Sequence, residues 1–173
     1  RYGNVMGSRG SVIPLFINQI KSNKDITITS PNMTRFLMSL ENAVDLVEYA
    51  FKNCKQGEMF IQKAPSSTIK TLAEALIGIF DSKSKIKIIG IRHGEKMHET
   101  LVTSEEMMRA EDVGNFYKIK PDSRDLNYEK YFSKGDKDEM PKSYSSDNTN
   151  ILDKKDVTRV LMDLDIIKQE LNS

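Results

Sequence analysis

The chain has 173 residues, with 26 Lys and Arg against 25 Asp and Glu, for a net charge of +1. That length suits one domain, and the balanced charge argues against a nucleic-acid partner, which would call for a basic excess. No apolar run approaches the roughly 20 residues that span a bilayer, so no membrane partner is expected, and the single cysteine, Cys54, cannot form an internal disulfide and fits a reducing cytoplasm.

The string Arg1-Tyr2-Gly3-Asn4-Val5 reads as a short strand that empties into a loop carrying Gly7 and Gly10. A strand that ends in a glycine-bearing loop is where open α/β sheets place ligands. With no initiator Met ahead of it, this opening reads as the interior of a longer enzyme. Residues 11–22 follow as a helix, with Val12, Phe16 and Ile20 at helical spacing and Pro14 in the first turn, where proline is tolerated. Residues 26–29 alternate as a strand, and 33–38 read as an extended connector.

Ser39 caps the next helix, with Glu41 in its first turn and an apolar stripe of Ala43, Val44, Val47, Ala50 and Phe51. After Gly57, residues 59–61 read as a buried strand. Ser67 or Thr68 caps a third helix with the stripe Ile69, Leu72, Ala73, Leu76 and Phe80, and a strand at 86–89 ends at Gly90. Strands therefore alternate with helices, as in the later part of an α/β domain. Residues 104–112 fit a short helix. The stretch 120–150 is polar, with aromatic islands at Tyr128, Tyr131, Phe132 and Tyr144, and a last helix begins at Asp153 with the stripe Val157, Val160, Leu161 and Leu164.

No complete catalytic set is present. A Gly-x-x-Gly-x-x-Gly fingerprint and a Tyr-x-x-x-Lys helix are both missing, and His93 and His98 lack the spacing of a metal site, so no metal is expected. What remains is a set of cations and polar residues on loops. Arg35 lies between a strand and a capped helix, and a guanidinium fork matches phosphate oxygens; a plain surface ion pair is the other reading of that residue. Arg92-His93-Gly94-Glu95 follows a strand. Ser11 and Val12 open a helix whose N–H groups suit a phosphate or carbonyl oxygen.

Together, Arg1-Tyr2-Gly3-Asn4-Val5, the loop Gly7-Ser8-Arg9-Gly10-Ser11-Val12-Ile13-Pro14, and Arg92-His93-Gly94-Glu95-Lys96-Met97-His98-Glu99-Thr100-Leu101 resemble the extended short-chain dehydrogenase/reductase family. Within it, the match is to the nucleotide-sugar epimerases and dehydratases of bacterial capsule and O-antigen biosynthesis. The resemblance covers essentially the whole chain and implies the C-terminal part of a Rossmann-like extended enzyme. Residues 1–119 would hold the end of the Rossmann sheet and the nucleotide-sugar-binding subdomain, and 120–173 a helical C-terminal arm packing across subunits.

The resemblance further implies that Arg35 and Arg92 grip the pyrophosphate of a UDP-sugar and that Glu95 accepts from the ribose hydroxyls. Asn4 would bond the phosphate or sugar, and Ser11 and Val12 would also contact substrate. Tyr2 would lie near the nicotinamide of NAD or NADP, with core packing as its alternative. The tail motifs Arg124-Asp125-Leu126-Asn127-Tyr128 and Tyr144-Ser145-Ser146-Asp147-Asn148-Thr149 also fit this branch. The expected partners are a UDP-sugar, the missing N-terminal half that holds most of the cofactor site, and further copies in a homo-oligomer. In such enzymes hydride leaves C4 of the sugar, and its return to the opposite face gives 4-epimerisation. The expected function is the substrate half of a UDP-glucose or UDP-N-acetylglucosamine 4-epimerase. The alternatives are half of a UDP-N-acetylglucosamine 4,6-dehydratase, or a non-catalytic remnant acting as a binding or oligomerisation module.

Overall fold

The computed structural model describes residues 1–121 and 140–172. The motif at 124–128 and the aromatics Tyr128, Tyr131 and Phe132 lie outside the described residues. The architecture is mixed α/β. Helix α1 (Val12–Lys21) starts at Ser11 and buries Ile13, Phe16, Ile17 and Ile20. Val12 sits at the border of that face, so the buried stripe is one position round from the expected one. Strand β1 (Ile26–Ile28) pairs in parallel with β5 (Ile86–Ile88). Between them in sequence runs α3 (Ile69–Ile79), capped by Thr68, which accepts from the Thr71 N–H.

The connector expected at 33–38 is in fact a strand, β2 (Thr34–Phe36), antiparallel to β4 (Ser66–Thr68). Conversely, residues 1–5 do not form a regular strand. Gln62 N–H donates to the Arg1 carbonyl at 3.1 Å and Met6 N–H to the Met38 carbonyl at 2.9 Å. Val5 makes a single bridge to Met38. Isolated contacts of this kind do not add up to a ladder, which needs consecutive pairs along one neighbour.

Helix α2 (Leu40–Asn53) opens with a reciprocal capping box between Ser39 and Asn42. It lies on β3 (Met59–Gln62), which belongs to a three-stranded antiparallel sheet with β8 (Phe116–Ile119) and β7 (Ala110–Asp112). The expected stripe of α2 is corrected here. Ala43 and Leu46 are buried, whereas Val44 and Val47 are about half exposed and Phe51 is 87% exposed. The helix is apolar over more than one face, and the small platform of Phe60 and Phe116 covers only the Leu46 side.

The short helix expected at 104–112 divides into α4 (Ser104–Met107) and β7. Strand β6 (Thr100–Val102) pairs with β9 (Tyr144–Ser145), which brings the C-terminal arm back to the body of the chain. The last helix is two, α5 (Lys154–Met162) and α6 (Asp165–Leu171). Val157, Leu161 and Ile167 are fully buried in one cluster with Phe16, Ile28, Leu72 and Leu76, while Val160 is only partly covered. A helix as short as α5 is marginal alone in water; its apolar face against α3 supplies the stability. Leu161→Ala should lower unfolding stability by about 2–5 kcal/mol, the usual cost of a cavity at a fully buried leucine. A urea titration reads this directly, and an unchanged midpoint would mean that α5 is not part of the core.

Candidate functional site

A cleft of about 330 Å³ opens between α1, β1, β2 and the segment after β5. Its wall includes Asn4, Ser11, Val12, Arg35, Arg92 and Glu95, which are scattered over the first 95 positions of the chain. The floor is apolar, with Ile28, Met33, Phe36 and Leu72. Tyr2 does not line the cleft. It is 49% exposed, so it is not a core residue either.

Two glycines shape the site. At Gly3 a Cβ atom would fall 2.8 Å from Cβ of Phe36, so any side chain there would push the first segment off β2. Gly94 has φ +86°, a left-handed conformation that favours glycine. It closes the turn in which Glu95 N–H donates to the Arg92 carbonyl and the Arg92 N–H donates to the Glu95 carboxylate, each at 3.1 Å.

The two arginines differ. Arg35 is mostly buried and its guanidinium is fully committed to the protein. Nη1 donates to the carbonyls of Thr34 (2.7 Å) and Met97 (3.3 Å), and Nη2 to the Lys96 carbonyl (3.0 Å) and the Met33 sulfur (3.1 Å). Nε stands 3.5 Å from a Glu99 carboxylate oxygen. The four N–H groups on the two Nη atoms are thus engaged, and Nε is left in ion-pair contact with Glu99. Arg92, by contrast, is exposed and has no side-chain hydrogen bond or ion pair among the described residues. The ion-pair reading of Arg35 thus describes its present contacts, while Arg92 is the cation left available at the mouth.

Ser11 sits at the start of α1 with extended backbone and makes no capping bond; its hydroxyl oxygen is buried without a partner among the described residues. An unmatched buried hydroxyl beside free helix N–H groups can receive an anionic or carbonyl oxygen. No group of three or more His, Cys, Asp or Glu side chains among the described residues could hold a metal ion, and no helix among them is long and apolar enough to cross a membrane.

Behind the cleft lies a polar network that the sequence reading did not assign. Thr34 Oγ1 lies 2.8 Å from His98 Nδ1 and 2.6 Å from Ser146 Oγ. Ser146 also ties down Glu99, accepting from the Glu99 N–H at 2.9 Å and donating its own N–H to the Glu99 carbonyl at 2.8 Å. The Asn4 amide, turned with its nitrogen toward Glu99, donates to both carboxylate oxygens at 2.8 and 2.5 Å. Burial pushes the Glu99 carboxyl above its usual range, and the nearby charges of Arg35 and Lys96 draw it partly back. The sequence signal for this network is that His98 and Glu99 fall inside the motif at 92–101 and Ser146 inside the motif at 144–149.

The family model described as polysaccharide biosynthesis protein matches residues 1–121, and its C-terminal companion matches 122–168. A UDP-glucose 4-epimerase of Rickettsia bellii is 60% identical over the full chain, which covers 51% of that protein. The Rickettsia felis UDP-glucose 4-epimerase is 57% identical, with the same coverage. Pen from Bacillus thuringiensis, a solved structure, superposes with a TM-score of 0.78 at 37% identity, over 95% of this chain and 48% of that one. The chain spans about half the length of the curated relatives it matches. It belongs to the polysaccharide biosynthesis protein family, with the fold of the C-terminal part of an extended short-chain dehydrogenase/reductase.

Proposed function

We propose that the chain is the substrate-binding half of a UDP-sugar 4-epimerase, acting on UDP-glucose or UDP-N-acetylglucosamine in bacterial surface polysaccharide biosynthesis. The observation that carries this reading is the convergence of Asn4, Ser11, Val12, Arg35, Arg92 and Glu95 on one cleft. An apolar floor with a few convergent polar groups is the usual build of a small-molecule site. Arg92 at the mouth meets the pyrophosphate, where a guanidinium can bond two oxygens at once. Glu95, fixed by its own turn, accepts from the ribose hydroxyls. Ser11 and the start of α1 offer donors to a phosphate or uracil oxygen, and the Asn4 carbonyl oxygen, its nitrogen turned to Glu99, accepts from a sugar hydroxyl.

NAD or NADP would supply the hydride chemistry. The glycine-rich fingerprint that would hold most of it is absent from this sequence, and Tyr2, exposed on the first segment, is the one residue of this chain assigned to it. The cofactor and the catalytic tyrosine belong, on this reading, to an N-terminal half. The apolar face that α2 leaves open supports that division. Leu40, Val44, Val47 and Phe51 are 63%, 49%, 45% and 87% exposed and follow one another at helical spacing. That face asks for a packing partner, and the N-terminal half is the occupant we assign to it. A cytoplasmic homo-oligomer of the joined halves completes the reading.

Three outcomes are expected. UDP titrated into the purified chain should bind, and Arg92→Ala should weaken it by about 1.5–3 kcal/mol, or roughly ten- to hundredfold, through loss of a charge-assisted bond. Equal UDP affinity in wild type and variant, measured by calorimetry, would rule out the clamp. Separately, the chain alone should give no product from UDP-N-acetylglucosamine and NAD when followed by chromatography; turnover above a blank would contradict the division into halves. Finally, Phe51→Asp should abolish capture of an N-terminal half supplied from the Rickettsia bellii relative, without moving the melting temperature of this chain. Capture that survives the charge would place the joint elsewhere.

A further inference from the structure

Glu99 contributes nothing to the wall of the cleft, yet its carboxylate touches two residues that do. The Asn4 amide lies against both of its oxygens at 2.8 and 2.5 Å, and Arg35 Nε approaches one of them at 3.5 Å. The Phe36 backbone N–H, on the β2 strand that carries Arg35, also favours the charged form of this carboxyl.

The main chain at Glu99 does not need this side chain to stay in place. Its N–H and its carbonyl are both bonded to Ser146. Burial disfavours the charged form of the carboxyl, as its upward displacement shows. A carboxylate held in a site that opposes its charge, where the backbone is already anchored, has its remaining effect on the groups it faces. Those groups come from opposite ends of the site. Asn4 lies on the first segment and Arg35 on β2, and Glu99 itself continues the segment that carries Arg92 and Glu95.

We propose that Glu99 is a positioning residue for nucleotide binding, setting the Asn4 amide and the Arg35 guanidinium relative to the Arg92–Glu95 turn. The proposal rests on the reading of the cleft as a UDP-sugar site. With Glu99 ionised, the Asn4 nitrogen is drawn inward and its carbonyl oxygen turns to the cleft, ready to accept from a ligand hydroxyl. The same charge holds the Arg35 fork in the plane in which it bonds the Lys96 and Met97 carbonyls, and so fixes the stem of the turn.

The test is a double-mutant cycle on the full chain, with UDP and UDP-N-acetylglucosamine as probes in calorimetry. Glu99→Gln keeps the shape but removes the charge and presents an amide to Arg35. It should weaken the UDP-sugar roughly tenfold, or about 1.4 kcal/mol, with a melting temperature close to wild type. Asn4→Ala should cost a similar factor, and the double variant little more than either single one, because both act through one contact. Glu99→Asp, which retains the charge on a shorter arm, should recover part of the loss. Unaltered affinity in Glu99→Gln, or losses that multiply in the double variant, would overturn the proposal. If Glu99→Gln does not fold, Glu99→Asp carries the same cycle with Asn4→Ala. A wild-type chain that binds neither probe would remove the UDP-sugar reading itself and this proposal with it, whereas UDP binding that depends on Arg92 but not on Glu99 would remove only the proposal.

Discussion

The guanidinium of Arg35 is the joint on which the site depends. Three backbone carbonyls and a thioether take donations from its two Nη groups, and a carboxylate oxygen stands 3.5 Å from Nε. Two of the carbonyls, from Lys96 and Met97, belong to a segment more than 60 positions away in sequence. Thr34 N–H adds a backbone bond to the same Met97 carbonyl at 2.9 Å. Strand β2 is thereby fastened to the stretch that emerges from the Arg92–Glu95 turn. Neither β2, three residues long, nor that irregular stretch would hold its place by regular secondary structure alone. A planar cation with five fixed donors can gather several carbonyls at once, which a lysine ammonium cannot do.

The C-terminal arm supports this joint from the other side. Ser66 N–H and the Leu152 N–H pair β4 with residues 150–152 of the arm, at 2.9 and 2.8 Å. The Tyr144 hydroxyl accepts from the Ala64 N–H at 2.8 Å and donates to the Ala64 carbonyl at 3.0 Å, satisfying both groups of one buried residue. The buried Ser146 then reaches Thr34 and Glu99. Polar groups out of water need partners, and here the partners come from three stretches distant in sequence. The arm therefore does more than cover apolar surface. Its hydroxyls complete the hydrogen bonding of the site's own backbone.

How much of this was legible varied with the physics involved. Two helices announced themselves through caps, at Ser39 and at Thr68 of the pair Ser67 and Thr68, and the others through helical spacing after Ser11 and Asp153. Local pattern marked Arg35, Arg92, Glu95 and the helix start at Ser11 and Val12 as polar positions on turns, but their assignment to one site, and that of Asn4, came from the family resemblance. The strands β4, β6, β7, β8 and β9 were missed because each has two to four residues, too few for alternation to register. The stripe on α2 was misplaced because Ala43, Val44, Leu46, Val47, Ala50 and Phe51 surround much of the helix, and which of them is covered depends on a platform, Phe60 and Phe116, built from later sequence. Glu99 and Ser146 look like any polar residues until tertiary contacts bring them against Asn4 and Thr34.

The contrast between the two arginines bears on the medium in which the protein works. Arg35 faces its partners at close range and largely out of water, where mobile ions have little access. Arg92 stands in solvent with no protein counter-charge on its side chain among the described residues, and its field is cut off within about 8 Å at physiological ionic strength. On the proposed reading, added salt therefore acts on the capture of an anionic ligand at the mouth of the cleft and leaves the scaffold behind it unchanged. The same chain would hold its ligand more loosely in a concentrated electrolyte while unfolding at the same temperature, a separation of binding from stability that follows from where each cation spends its charge.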